Sequence, residues 1–221
     1  MLALIGCICL TGCVKKKKQT VSVQFINASR NTPYVEYWLQ GSKRAELIGF
    51  NQCSNSNTAD LEEGELLKIE IKDPAASAIV ASGTYSNWKA GVHYTFIMYD
   101  EYTQRKTTLL SDTAAWPAGG KLKVRFMHLS PDAPALDVLF NNDTVALNKT
   151  YWGTDTANAV ADFFTLNAAA YTVRVNNHAT GSNLLTLPGM GLADNRILDV
   201  YASGLMADTL TYPFSLGWAA H

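Results

Sequence analysis

The chain is written twice, and that repeat limits what it can fold into more than any other feature. Val21-Ser-Val-Gln-Phe-Ile-Asn-Ala-Ser29 aligns with Leu122-Lys-Val-Arg-Phe-Met-His-Leu-Ser130 at an offset of 101. At the same offset, Val35-Glu-Tyr-Trp-Leu39 falls on Leu136-Asp-Val-Leu-Phe140. Further on, Leu67, Ile69 and Ile71 match Tyr171, Val173 and Val175 at 104, and Tyr99 pairs with Tyr201 at 102. Loop insertions produce such a drift. A period of about 100 residues is that of a domain, too long for a solenoid unit.

Within each copy the apolar residues recur every second position. Val21, Val23 and Phe25 face one way, and Ser22 and Gln24 the other; Leu122, Val124 and Phe126 repeat this against Lys123 and Arg125. Period two is the signature of a half-buried strand. Between the alternating segments sit turn formers: Asn31-Thr-Pro33, Asp73-Pro74, Asn141-Asn-Asp143, Asn176-Asn177 and Pro188-Gly189. Helical periodicity is hard to find anywhere. The expected fold is all-β: two tandem antiparallel β-sandwich domains, immunoglobulin-like in architecture but without the cysteine pair of antibody domains. Residues 20–111 form the first, 121–221 the second, and the Pro- and Gly-containing stretch 112–120 the linker.

Val124-Arg-Phe-Met-His-Leu-Ser-Pro-Asp-Ala-Pro-Ala-Leu-Asp-Val138 resembles the opening signature of a bacterial family, the domain-of-unknown-function 4397 (DUF4397) family. Leu166-Asn-Ala-Ala-Ala-Tyr-Thr-Val-Arg-Val175 resembles a later strand of that family, and Asn27-Ala-Ser-Arg-Asn-Thr-Pro33 is its divergent form in the first copy. The resemblance implies exported or lipid-anchored immunoglobulin-like sandwich domains and no established activity. In the signature turn, Pro131 and Pro134 fix φ and keep the preceding residues extended. Asp132 is expected to close the turn by accepting from backbone donors ahead of it. His128, Asp132 and Asp137 match no zinc spacing, and the first copy lacks counterparts of the first two.

Ahead of the repeat, the apolar stretch Met1–Leu10 has the length of a signal-peptide core and is too short to span a bilayer as a helix. Leu10-Thr-Gly-Cys13 resembles the lipobox of bacterial lipoproteins. Residues 1–12 are thus expected to be a signal peptide, Cys13 the lipidated residue, and 13–19 a basic spacer. Two or three acyl chains make a lasting anchor where one is marginal. Before the apolar run only the amino group of Met1 is positive, so a start upstream is expected. The expected location is the bacterial cell envelope, anchored to a membrane (the outer one), facing the periplasm or the surface. Cys7 and Cys9 leave with the signal peptide, so Cys53 is an incidental thiol in a mature chain without disulfides.

Lys15 to Lys18 supply four of eighteen basic residues against nineteen acidic ones, so the folded body is acidic and nucleic acid is not expected as a partner. No catalytic, phosphate-binding or dinucleotide motif is present. His93, His128, His178 and His221 stand apart and share no context. No enzyme activity, cofactor or metal is therefore expected, a cryptic hydrolase being the remote alternative. The chain reads as an interaction or adhesion protein whose partners are membrane lipid, through the acylated N-terminus, and an envelope protein or glycan. For a glycan, the candidate contacts are Trp38, Trp116, Tyr151 and Trp152, since loop aromatics beside Asn, Asp and Thr can stack on sugar rings. The plainer reading has these rings covering the sandwich ends and the space between domains.

Overall fold

The computed structural model describes residues 17–221 apart from 33, 158, 159 and 161, so the expected signal peptide and Cys13 lie outside the described residues. The first half contains β1 (Lys18–Arg30), β2 (Val35–Leu39), β3 (Ser42–Ile48), β4 (Gln52–Cys53), β5 (Asn57–Glu62), β6 (Leu67–Lys72), β7 (Ile79–Tyr85), β8 (His93–Glu101) and β9 (Lys106–Asp112). The second contains β10 (Lys121–His128), β11 (Leu136–Phe140), β12 (Asp143–Lys149), β13 (Phe164–Asn167), β14 (Ala169–Asn177), β15 (Asn183–Leu192), β16 (Ile197–Ser203) and β17 (Ser215–Ala220). Each half is a β-sandwich. In the first, a sheet ordered β4-β1-β8-β9, with β5 also on β1, faces one ordered β3-β2-β6-β7. In the second, β13-β10-β16-β17 faces β12-β11-β14-β15.

The alternating residues meet where period two sends them. Val21, Val23 and Phe25 close on Tyr37, Leu39, Ile69 and Phe96 in one core; Leu122, Val124 and Phe126 close on Val138, Phe140, Val173 and Val200 in the other. The β2–β3 hairpin turns at Gln40-Gly41, both with positive φ (50° and 71°), the two-residue turn whose twist suits paired strands. Two details differ from expectation. Pro188-Gly189 is not a turn. It lies within β15, a sheet edge, where the pairs Tyr171–Met190 and Val173–Leu187 leave an extra residue as a bulge, with Gly189 at φ 70°. Proline and a left-handed glycine are tolerated there because an edge strand need not donate on both sides. Each sandwich also carries one parallel ladder, β1 on β8 and β10 on β16, while its other strand ladders are antiparallel.

Those ladders define the repeat residue by residue. Phe25 lies beside Phe96, and Phe126 beside Val200, so an offset of 101 in the first strand goes with 104 in its neighbour. The same 104 relates β6 to β14, where Ile71 lies beside Tyr37 and Val175 beside Val138. Tyr201 therefore corresponds to Ile97, and its expected pairing with Tyr99 is two residues out of register. A slip of two keeps every side chain on its own face, so alternation alone cannot detect it.

The two sandwiches pack through the outer faces of the β1–β8 and β10–β16 sheets. Ile26, Ala28, Ile97 and Tyr99 of the first bury against Met127, Leu129, Trp152, Tyr201 and Ala219 of the second. This seam is isologous. By register, Thr95 corresponds to Asp199 and Asp112 to His221, and each residue touches its own counterpart. Off the axis the contacts are reciprocal: Trp152 packs on Tyr99, while their counterparts Asn51 and Ser203 are hydrogen-bonded at 3.0 Å. Equivalent patches in mutual contact are what a two-fold axis requires. The chain is an internal pseudo-dimer.

Candidate functional site

The seam buries charge as well as apolar surface. Arg125 on β10 lies opposite Asp199 on β16, and its Nε and one terminal nitrogen donate to the two carboxylate oxygens at 2.8 Å each. The same guanidinium reaches Asp112, at the end of β9, at 2.7 Å, so one cation ties two carboxylates from opposite sandwiches. Thr95 Oγ1 donates to Asp199 at 3.1 Å. His221, just beyond β17, lies between the acids: Nδ1 is 2.6 Å from Asp112 and Nε2 is 3.2 Å from Asp199. Its ring packs on that of His93, with centroids 4.1 Å apart.

Buried charges persist when they are paired and hydrogen-bonded. Burial opposes ionisation of Asp199, but Arg125 and His221 hold its carboxyl well below the usual carboxylate range. Burial likewise works against a charged His221; its contacts with Asp112 and Asp199 outweigh that and raise it to about 9. His93, desolvated and beside that cation, is lowered to about 4. Its Nδ1 is 3.1 Å from Ser22 Oγ, and its Nε2 is buried without a hydrogen-bond partner among the described residues. One ligand-capable atom from each of His93, Asp112 and His221 lies within 4.8 Å of the others, a set that could hold a divalent ion.

These residues form one wall of a cavity of about 620 Å³ that also meets Trp116 and Thr113. A second cavity, about 690 Å³, is lined by Asn55, Leu122, Met190, Arg196 and Trp218. Asn55 and Ser56, Ala220 and His221, and Ile197 between Arg196 and Leu198 divide between the two, so the cavities share a wall. Trp116 is 60% exposed and Trp218 51%.

The rings singled out from the sequence thus part company. Trp116 stands open beside the first cavity. Trp152, read as a loop aromatic available to a ligand, is on a loop but 6% exposed, because the seam closes over it. Tyr151 is half-buried, its hydroxyl donating to Asp100 at 2.8 Å. Trp38 lies on the outer face of β2 with Lys72 Nζ 4.1 Å from its ring centre. Sequence reasoning missed Trp218, His93 and His221. Alternation in β17 would have put Trp218 opposite Ala219 and Gly217, but nothing in the chain announces that His93 and His221 meet.

The signature turn is structural. His128 bonds the Pro134 carbonyl through Nε2 at 3.0 Å and accepts from Ser130 N at Nδ1. Asp132 does accept from backbone amides, though not those of its own turn: Met206 and Ala207, 2.9 and 3.0 Å away, tie the turn to a distant loop. Asp137 binds Asn148 N and His178. The three make no common site. Cys53 is partly buried against the Trp218 carbonyl, and burial raises its thiol pKa.

Fold and site together define a tandem β-sandwich protein whose two copies are fused face to face around a buried charge cluster. The family model described as "Domain of unknown function (DUF4397)" matches residues 21–139, over half the chain, and the chain belongs to that family. The match includes the Ser-Pro-Asp-Ala-Pro turn at 130–134. No curated protein matches. Among solved structures, the chain is similar to CBMbc (family CBM26) from Eubacterium rectale Amy13K in complex with maltoheptaose. Identity is 11% and the TM-score 0.29, over 89% of this chain and 95% of that one. A "putative cell adhesion protein" from Bacteroides eggerthii DSM 20697 matches at 8% identity and TM-score 0.25, over 95% and 97%.

Proposed function

We propose that this is a lipid-anchored protein of the bacterial cell envelope whose role is non-catalytic binding of a glycan across the two adjoining cavities. The observation that carries the reading is the pair of exposed tryptophans, Trp116 and Trp218, each lining one of two cavities that share a wall. Tryptophan faces suit the apolar faces of sugar rings, and Asn55, Thr113 and Arg196 offer groups for hydroxyls. The fused seam keeps the two cavities at a fixed spacing, which spares a ligand the entropy of ordering two domains. Anchoring rests on Leu10-Thr-Gly-Cys13 and the apolar run before it.

Two experiments separate binding from location. Polysaccharide titration followed by tryptophan emission should saturate, and Trp116→Ala and Trp218→Ala should each weaken binding about tenfold or more, against no change for Trp38→Ala. A panel with no saturable ligand defeats the glycan reading. Independently, Cys13→Ala should shift the protein from the membrane to the soluble fraction. Continued membrane partitioning defeats the anchor.

A further inference from the structure

We propose that His93, Asp112 and His221 form a divalent-metal site of the zinc class, a two-histidine, one-carboxylate set contributed by both sandwiches. It is independent of the glycan reading. Three observations converge on it. The donor atoms lie within 4.8 Å of one another, and small side-chain shifts, among them an opening of the 2.6 Å contact between Asp112 and His221, bring them to the roughly 3.3 Å separation that tetrahedral ligands adopt at zinc–nitrogen and zinc–oxygen distances of about 2.0–2.1 Å. His93 Nε2 is buried with no hydrogen-bond partner among the described residues, so it is the ring atom left available to a ligand. Asp112 and His221 open on the 620 Å³ cavity, from which a water or a ligand atom can take the fourth position.

Each donor also has the supporting contact that metal ligands characteristically keep. Asp199 is 3.2 Å from Nε2 of His221, so Nδ1 is the atom directed at Asp112 and the ion. Ser22 Oγ sits 3.1 Å from Nδ1 of His93 and fixes that ring with Nε2 inward. Arg125 holds Oδ1 of Asp112 and leaves Oδ2 on the side of the histidines. The guanidinium does not repel the ion unopposed, because Asp199 takes it in a two-pronged pair. Two nitrogens, one oxygen and an open position suit zinc over calcium or magnesium, which prefer all-oxygen shells. With His93 and Asp112 in the first sandwich and His221 in the second, the ion staples the seam at its cavity end.

The test uses the full chain in detergent, stripped with a chelator and titrated with zinc chloride, with cobalt(II) as a spectroscopic probe. One zinc should bind per chain, raise the melting temperature, and be replaced by cobalt with the intense visible absorption of a tetrahedral site. His93→Ala leaves the Arg125–Asp112–Asp199 contacts intact and should still fold; its zinc affinity should fall about tenfold or more. Asp112→Asn should behave likewise, and His178→Ala, on the far sheet, should bind as the parent does. No saturable binding at one per chain, full affinity in His93→Ala, or loss of binding in His178→Ala would each overturn the site.

Discussion

At the scale of single residues, the two copies differ on both faces of their first strands. Gln24 and Thr95 of the first correspond to Arg125 and Asp199 of the second, and Asn27 corresponds to His128. His128 is fully buried, donates from Nε2 to Pro134 O and accepts at Nδ1, which fixes it as the neutral imidazole. Burial lowers it to about 4, against 6.5 for a free imidazole, and the carbonyls of Pro134 and Ala133 only partly oppose this. The Tyr151 phenol is the titratable group packed on it. Between those two values the unfolded chain binds a proton that the native chain refuses. The stability at stake is full above about pH 6.5 and is lost as pH falls toward 4, by about 3 kcal/mol. His128→Asn, which installs the first copy's residue, should be less stable at pH 7, and its deficit should shrink between pH 6.5 and 4. His93 titrates in the same window in both proteins, so the difference isolates His128. Urea melts giving parallel pH profiles for the two proteins would remove His128 as the source.

Element by element, the strand that most tightly limits the seam is β17. A methyl group at Gly217 would run into Asn51 Oδ1 and the Tyr201 ring, whereas one at Gly191 on β15 meets nothing within 4 Å among the described residues. Gly217→Ala should therefore cost about 1–3 kcal/mol through overpacking. Gly191→Ala should change stability by less than about 0.5 kcal/mol, at a surface position away from such contacts. Equal melting temperatures for the two variants would mean the seam tolerates separation. How much of such an element the sequence reveals depends on which face is asked about. Period two assigned Phe25, Phe126 and Val138 to cores correctly, because an apolar residue every second position has one place to go. It also put Gln24 and Arg125 on the side that normally meets solvent, and here that side is buried. Alternation distinguishes two faces without saying what covers the polar one. Trp152 follows the plainer of its two readings for the same reason, being in a loop that a partner sheet covers. His93 and His221 are brought together by β8 and β17 of different sandwiches, and no local pattern encodes that.

Across the whole molecule, the pseudo-two-fold raises the question of why one copy does not pair with itself. The second sandwich has a complete core of its own, from Leu122 and Phe126 to Val200 and Leu216, so residues 119–221 should fold in isolation. Its seam face would then expose Met127, Leu129 and Tyr201, a surface already shaped for an isologous partner. The axis residues decide against it. Two second copies would set Asp199 against Asp199 and His221 against His221, replacing the Thr95–Asp199 and Asp112–His221 contacts of the intact chain. Like charges brought together out of water are a strong bar to association. The first copy, carrying Thr95 and Asp112, supplies what the second lacks. Residues 119–221 alone should therefore sediment as a monomer at neutral pH, and mixing with residues 17–118 should yield a one-to-one complex whose melting is a single transition. Salt should weaken that complex little, because Arg125, Asp112 and Asp199 are sealed from solvent once joined. A stable homodimer of the second fragment, or no complex on mixing, would show that the charges at the axis do not select the partner.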